Sequence, residues 1–446
     1  MKLHGLPALF LLPLATFSAQ SELAERPPMG WNSWDSFGTT VTESEVKANA
    51  DYMAAHLARV GWQYIVVDIQ WSEIHPKTHG YRPNAELNMD EFGRLIPATN
   101  RFPSSAGGLG FKPLADYVHG KGLKFGIHIM RGIPRRAVDA NLPIAGTGFH
   151  AADVADQQST CPWNTDMYGV DLSKPGGQQY YDSIVSMYAR WGVDFIKADD
   201  MFGFGPHGDH DTEIEAVNRA IIKSGRPIVL SLSPGTQGLS HAEFASSHAQ
   251  MWRISNDFWD RWVDLKNQFS LFNLWTPFRK PGHWPDGDML PLGRIGIRAE
   301  RGDPRFSLFT QDEQRTLMTL WSVAKSPLMF GGNLPDNDPF TLGLITNREV
   351  LEVDQNSAAN RQLFARGNQV AWVAERPGTR GKYLAVFNIG DSATEDIEIK
   401  LSELGLPERV MVKDLWTAGN LKDVRGSAKF TVSPHASQFY WLTPSK

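Results

Sequence analysis

Two short stretches of this 446-residue chain carry the groups best suited to breaking a covalent bond. Residues 195–200 read Phe-Ile-Lys-Ala-Asp-Asp, and residues 251–257 read Met-Trp-Arg-Ile-Ser-Asn-Asp. Each is an apolar strand-like run that ends on a carboxylate with a cation two to four residues upstream. Side chains alternate along a strand, so Lys197 and Asp199 share one face, as do Arg253, Ser255 and Asp257. Two carboxyl groups on rigid strand ends are what hydrolysis of a glycosidic bond requires. Lys197 favours the ionised form of Asp199, which suits a nucleophile. Asp257 then protonates the leaving oxygen and later activates water. Asp200 points to the opposite face and is expected to cap or brace the following loop.

These groups need a scaffold, and the chain supplies a regular beat of strands and helices. Strands are expected at 29–34, 64–69, 124–129, 195–199, 227–233, 251–257, 283–290 and 326–331. The run at 64–69 is β-branched throughout, as in a strand buried on both faces. Helices are expected at 42–60, 177–191, 211–224 and 311–324. The first has a capping box in Thr42 and Glu45 and apolar residues at helical spacing. Eight such units over residues 27–345 predict an α/β fold, a (β/α)8 TIM barrel with insertions. A doubly wound sheet is the rival, but its Gly-rich first turn is absent. From 346 to 446 the texture changes to short strands separated by turn residues, with no convincing helix. This predicts a C-terminal antiparallel β-sandwich domain.

A barrel of this kind builds its site at the C-terminal strand ends. Those ends carry Trp31, Trp34 and Asp35, then Asp68, His128, Lys197 with Asp199, Ser231 with Ser233, Arg253 with Asp257, and Trp284 with Asp286 and Asp288. Carboxylates, indoles and two cations thus converge on one rim. No metal set is evident: His207-Gly-Asp209-His210-Asp211 reads as a polar loop with Asp211 capping a helix. There is no phosphate-binding loop and no dinucleotide fingerprint, so no cofactor is expected.

The net charge of −5 gives no case for nucleic acid or an anionic membrane. Fifteen Trp residues are many for one chain and are compatible with stacking on sugar faces. Residues 1–20 read as a signal peptide: Lys2 and His4 precede an apolar run from 6 to 17, followed by small residues. The expectation is a soluble protein, secreted or periplasmic, with no membrane span after signal removal. Cys161 is the only cysteine, which excludes an intrachain disulfide.

Taken together, these motifs resemble glycoside hydrolase family 27, the α-galactosidase and α-N-acetylgalactosaminidase family. Residues 29–34, Met-Gly-Trp-Asn-Ser-Trp, resemble its opening motif. Lys197-Ala-Asp199 resembles its Lys-Tyr-Asp nucleophile motif, Arg253 to Asp257 its Arg-x-x-x-Asp motif, and 284–289 its Trp-x-Asp-x-Asp-Met segment. The resemblance implies a retaining mechanism with Asp199 as nucleophile and Asp257 as acid/base. It implies a carbohydrate substrate held by Trp34, Asp68, His128, Lys197, Ser233, Arg253 and Asp288.

The departures bear on the sugar. Family α-galactosidases commonly carry Asp-Asp after the second strand, whereas this chain has Asp68-Ile69. Isoleucine cannot accept a hydrogen bond from a galactose hydroxyl, so that contact is expected either to be missing or to be supplied by Asp35, Glu73 or residues 86–91. Ser233 has flanks unlike those of the family, and His128 stands where a Tyr is usual. An α-galactoside is the substrate the resemblance favours. A β-L-arabinopyranoside, an α-N-acetylgalactosaminide and an α-glucan stay open, as does an inactive carbohydrate-binding scaffold.

Overall fold

The computed structural model describes residues 23–445, apart from 79, 204–209, 236–237, 300, 418 and 420–421. The expected signal peptide, and His207 and Asp209 of the metal-like loop, lie outside the described residues.

All eight expected barrel strands form: β1 (Met29–Asn32), β2 (Tyr64–Val67), β3 (Lys124–Met130), β4 (Phe195–Gly203), β5 (Val229–Gly235), β6 (Met251–Arg253), β7 (Trp284–Asp286) and β8 (Leu328–Phe330). They pair in parallel in chain order, and β8 joins β1. Leu290, just past β7, bridges Phe330 and closes the ring. The helices at Gly177–Trp191, Asp211–Ser224 and Gln311–Ala324 fall where their periodicity places them. Thr42 and Glu45 form the expected capping box of Glu43–Tyr52.

The strand rows explain where the site lies. Tyr64, Val66, Phe195, Val229, Met251, Trp284 and Met329 pack together inside the barrel. The intervening Ile65, Ile196, Ala198, Leu230 and Trp252 belong to the other core, beneath the helices. Advancing by two along the interior rows leads from Val66 to Asp68, from Phe195 to Lys197 and Asp199, from Met251 to Arg253, and from Trp284 to Asp286 and Asp288. The barrel interior is therefore apolar at the N-terminal end and charged at the C-terminal end, because period-two alternation keeps every one of these side chains on the inner face.

Beyond the barrel the helix-free expectation needs correcting. Arg348–Asn356 is a helix, capped by Asn347, whose side chain accepts from the Glu349 and Val350 amides. Its buried residues, Val350, Leu351, Val353 and Asp354, do share one helical face, but the helix has only 9 residues and one of the four is an acid. Strands β9 (Ala358–Arg366), β10 (Gln369–Glu375), β11 (Lys382–Asn388), β12 (Glu395–Lys400), β13 (Arg409–Asp414), β14 (Lys422–Arg425), β15 (Ser427–Val432) and β16 (Ser437–Pro444) follow. They make a six-stranded sheet in the order β9-β10-β11-β16-β13-β14, with β12 and β15 paired separately. Ile397, Ile399, Phe430 and Val432 of that pair pack on Leu384, Val386 and Leu442 of the larger sheet, giving the expected sandwich. The opposite face meets the barrel helices: Phe269 and Phe387 pack edge to face at 5.0 Å, and the Trp416 indole donates to Thr319 Oγ1 at 3.0 Å.

Candidate active site

A cavity of about 380 Å³ opens at the C-terminal ends of the barrel strands. Its wall includes Trp34, Asp35, Asp68, Ile69, Lys197, Asp199, Arg253, Asp257 and Asp288. Of the nine site residues expected from sequence, seven therefore line one pocket. His128 stands directly behind it, and Ser233 is buried without reaching the lining, where Pro234 takes its place.

Asp199 is held on every side. Its Oδ2 lies 3.0 Å from His128 Nε2, and its Oδ1 accepts from the Asp200 amide at 2.9 Å. Burial works against its charge, but the His128 hydrogen bond, the Lys197 ammonium and that amide outweigh burial. The carboxyl therefore stays well below the usual carboxylate range and is ionised. A buried, ionised and oriented carboxylate has the properties of a nucleophile.

Lys197 and Asp68 form the second unit, with Nζ 2.9 Å from Oδ2. Asn32 Nδ2 also donates to Asp68 Oδ2 at 2.7 Å, and the Ile69 amide donates to Oδ1 at 2.9 Å. Burial opposes the Asp68 charge, and Lys197, His128 and these hydrogen bonds reverse its effect, so Asp68 is lowered. Burial likewise opposes the Lys197 charge, but Asp68, Asp199 and Asp288 hold its pKa raised. The pair is a fixed acceptor and donor of the kind that reads adjacent sugar hydroxyls.

Arg253 organises the opposite wall. Its Nη2 lies 3.3 Å from Asp257 Oδ1 and its Nη1 2.9 Å from Asp288 Oδ1. Asp288 also accepts from the Phe258 amide at 2.8 Å. Burial nevertheless pushes Asp288 up to about 7, against the pull of Arg253 and with the help of Asp257 and Asp286. Asp257 differs from the other carboxyl groups of the cavity in that its side chain is 46% exposed. A leaving group and a water molecule can both reach it, as an acid/base residue requires.

The expected substitute for the missing second-strand acid does not come from the long loop. Glu73 is buried, is pushed up to about 7 by burial and by Asp166, and does not line the cavity. The loop contributes Tyr81 instead, stacked on Trp34 at 6.1 Å and tilted on Trp163 at 5.3 Å. Ile69, 4% exposed, packs in the same apolar group with Trp34, Met130 and Met289. This aromatic wall has no counterpart in the sequence reading, because Tyr81 and Trp163 lie in loops without a periodic signal. Asp200 turns away as expected, with φ of 57°, and pairs with Arg131 at 2.9 Å. Burial, and then Asp200, raise the Cys161 thiol, which disfavours the thiolate that a nucleophile needs. Asp211 opens its helix within the first turn rather than acting as N-cap, a position held by His210. No group of metal-ligating side chains occurs among the described residues.

Comparison with known proteins agrees with this architecture. Residues 26–174 and 170–356 match the family model described as alpha galactosidase A, and residues 366–442 match the alpha galactosidase C-terminal beta sandwich domain. An alpha-galactosidase of Coffea arabica is 31% identical over 428 residues, covering 94% of each chain. The crystal structure of a family 27 β-L-arabinopyranosidase from Geobacillus stearothermophilus is similar at a TM-score of 0.93 and 52% identity, over 95% of this chain and 97% of that one. A variant of that enzyme solved in complex with arabinose is 51% identical, again with a TM-score of 0.93, over 95% of this chain and 98% of that one.

Proposed function

This chain belongs to the α-galactosidase family of glycoside hydrolases, family 27, and we propose that it releases terminal β-L-arabinopyranosyl residues with retention at the anomeric carbon. Asp199 attacks C1 of the bound sugar while Asp257 gives its proton to the glycosidic oxygen. The bond from C1 to that oxygen breaks, and the sugar is left as an ester on Asp199. Asp257, now a carboxylate, takes a proton from water, whose oxygen attacks C1 and frees Asp199. Asp68 and Lys197 bind neighbouring ring hydroxyls, and Arg253 holds Asp257 and Asp288 in place.

The observation that carries the choice of sugar is Ile69. β-L-Arabinopyranose has the ring configuration of α-D-galactopyranose without the hydroxymethyl group on C5. A catalytic centre made for one ring suits the other, and the difference falls on whatever faces that carbon. Where α-galactosidases of the family place a second aspartate, this pocket has a buried isoleucine beside Trp34, Tyr81 and Met289. A hydroxymethyl group there would meet carbon, and an unsatisfied buried hydroxyl costs about 1–3 kcal/mol. The 52% identity to the Geobacillus arabinopyranosidase supports the same reading.

Hydrolysis of α-galactosides is the second reading, favoured by the curated relatives, among them the Coffea arabica enzyme. A panel of nitrophenyl glycosides separates the two. The β-L-arabinopyranoside should exceed the α-D-galactoside in kcat/KM by roughly five- to a hundredfold, the range that such a hydroxyl penalty implies. Equal or reversed rates would transfer the assignment to α-galactosides, and no turnover of any member would leave only a binding protein. We further propose that residues 1–20 direct export, which N-terminal sequencing of the mature protein tests.

A further inference from the structure

Asp35 lines the cavity, and the mechanism above gives it no task. It follows Trp34 at the exit from β1 and is 1% exposed. Neither of its carboxyl oxygens has a hydrogen-bond partner within the protein. That is unusual beside the other acids of the cavity: Asp68, Asp199, Asp257 and Asp288 each hold a cation, an imidazole or an amide. The fold nevertheless makes room for it. A Cβ on Gly331, at the end of β8, would lie 1.9 Å from Asp35 Oδ2. Only a glycine permits the carboxyl group to sit against that strand end. On the other side the Gly296 amide donates to the Asp35 backbone carbonyl at 2.8 Å and fixes the turn that presents the side chain.

A buried polar group left without a partner costs free energy, commonly about 1–3 kcal/mol. Its retention on a cavity wall is understandable if the partner arrives with the ligand. We propose that Asp35 is a further sugar-binding residue, whose carboxyl group forms a hydrogen bond with a ring hydroxyl of the glycoside held between Asp199 and Asp257. This rests on the assignment of the cavity to a glycoside. The charged groups whose fields reach Asp35 are Asp288, Lys197, Asp257 and Asp260. Lys197 is committed to Asp68, and the other three are acids. Burial first, and then these carboxylates, raise Asp35 well above the ordinary range, so that it keeps its proton. Asp68 and Lys197, the groups placed on ring hydroxyls above, are a fixed acceptor and a fixed donor, whereas a neutral carboxyl is both in one.

The test compares Asp35→Asn, which keeps a neutral donor and acceptor, with Asp35→Ala, which removes both. Kinetics are measured on whichever nitrophenyl glycoside the wild type cleaves best. The choice of that glycoside tests the arabinopyranoside reading by itself, and a wild type that cleaves none of them overturns both proposals. With an active wild type, the alanine variant should raise KM about tenfold or more with kcat little changed, as loss of a bond made equally to substrate and transition state does. The asparagine variant should restore KM to within about threefold, a recovery that a packing role would not depend on. An alanine variant with wild-type KM, or an asparagine variant as impaired as the alanine, overturns the role of Asp35 while leaving the glycosidase intact. Infrared difference spectra of wild type against Asp35→Asn give a second readout that does not need the alanine variant to fold. A protonated carboxyl band should be present at neutral pH and should shift on addition of L-arabinose or D-galactose. Absence of the band, or a band that neither sugar moves, overturns the proposal.

Discussion

His128 Nε2 and Asp199 Oδ2 lie 3.0 Å apart at the floor of the cavity, joining β3 to β4 at neighbouring strand ends. The Trp71 indole donates to the His128 carbonyl at 2.7 Å and fixes the strand end behind it. This contact is the leading influence that overcomes burial to keep Asp199 ionised.

Replacing His128 with Phe removes that hydrogen bond and leaves burial less opposed. The Asp199 pKa then rises, and the acid limb of kcat/KM moves to higher pH. Activity at the optimum should fall by roughly tenfold or more, in keeping with the loss of a hydrogen bond to a charged group. An unmoved acid limb would show that Lys197 and the Asp200 amide suffice.

The two catalytic carboxyls should separate kinetically. Asp199→Asn cannot form the glycosyl ester, so turnover of every substrate should be lost. Asp257→Asn should lose about 10²–10⁴ on sugars with poor leaving groups. It should still form the glycosyl-enzyme from a nitrophenyl glycoside, visible as a burst. Proton NMR of the first product should show the anomer of the substrate. Inversion, or equal loss of the burst in both variants, would reassign the roles.

The barrel was legible in the sequence because its information is periodic. β-Branched runs, a capping box and interior rows that change from Val66 to Asp68 or from Met251 to Arg253 survive in one dimension. The pocket charges were legible for the same reason, since each closes a strand. Groups set by loops were not: Tyr81 and Trp163 meet Ile69 only through the path of the insertions. The helix Arg348–Asn356 was missed because its apolar face is short, within 9 residues, and carries an acid, Asp354, among the buried positions. Asp211 misled because an acid in the first turn of a helix looks like a cap in sequence.

Melting temperature should fall as pH rises from about 4, the ordinary carboxyl value, towards 7. Asp288 is pushed up to about 7, chiefly by burial, so it binds a proton in the folded protein at a pH where the unfolded chain has lost it. Its contribution is present in full below the ordinary value and is gone above its folded one. Asp35 and Asp286 are raised in the same sense, and burial leads in both. Asp199 and Asp68 are lowered, and their contribution is lost only in more acid solution. Asp35→Asn removes one of the raised groups without breaking an ion pair. The gap in melting temperature, variant minus wild type, should therefore widen between pH 5 and pH 8. A constant gap would mean that Asp35 is ionised in the folded protein across this range.

Substrate choice should turn on position 69. The Ile69 amide is tied to Asp68 Oδ1, so a new side chain there is held where the isoleucine now meets Trp34 and Tyr81. Ile69→Asp places an acceptor where the hydroxymethyl group of galactose would lie, and a hydrogen bond to a carboxylate contributes roughly 1.5–3 kcal/mol. The same change buries a charge beside an aromatic wall when the pentose is bound, with nothing on that sugar to satisfy it. The two effects have opposite signs for the two substrates. The ratio of kcat/KM for nitrophenyl α-D-galactoside to that for the β-L-arabinopyranoside should rise by about tenfold or more. Melting temperature distinguishes a change of preference from simple damage, since a destabilised pocket would lower both activities together. If the variant lost both in proportion, the hydroxymethyl side of the cavity would lie elsewhere, and Tyr81 or Met289 would be the next positions to exchange.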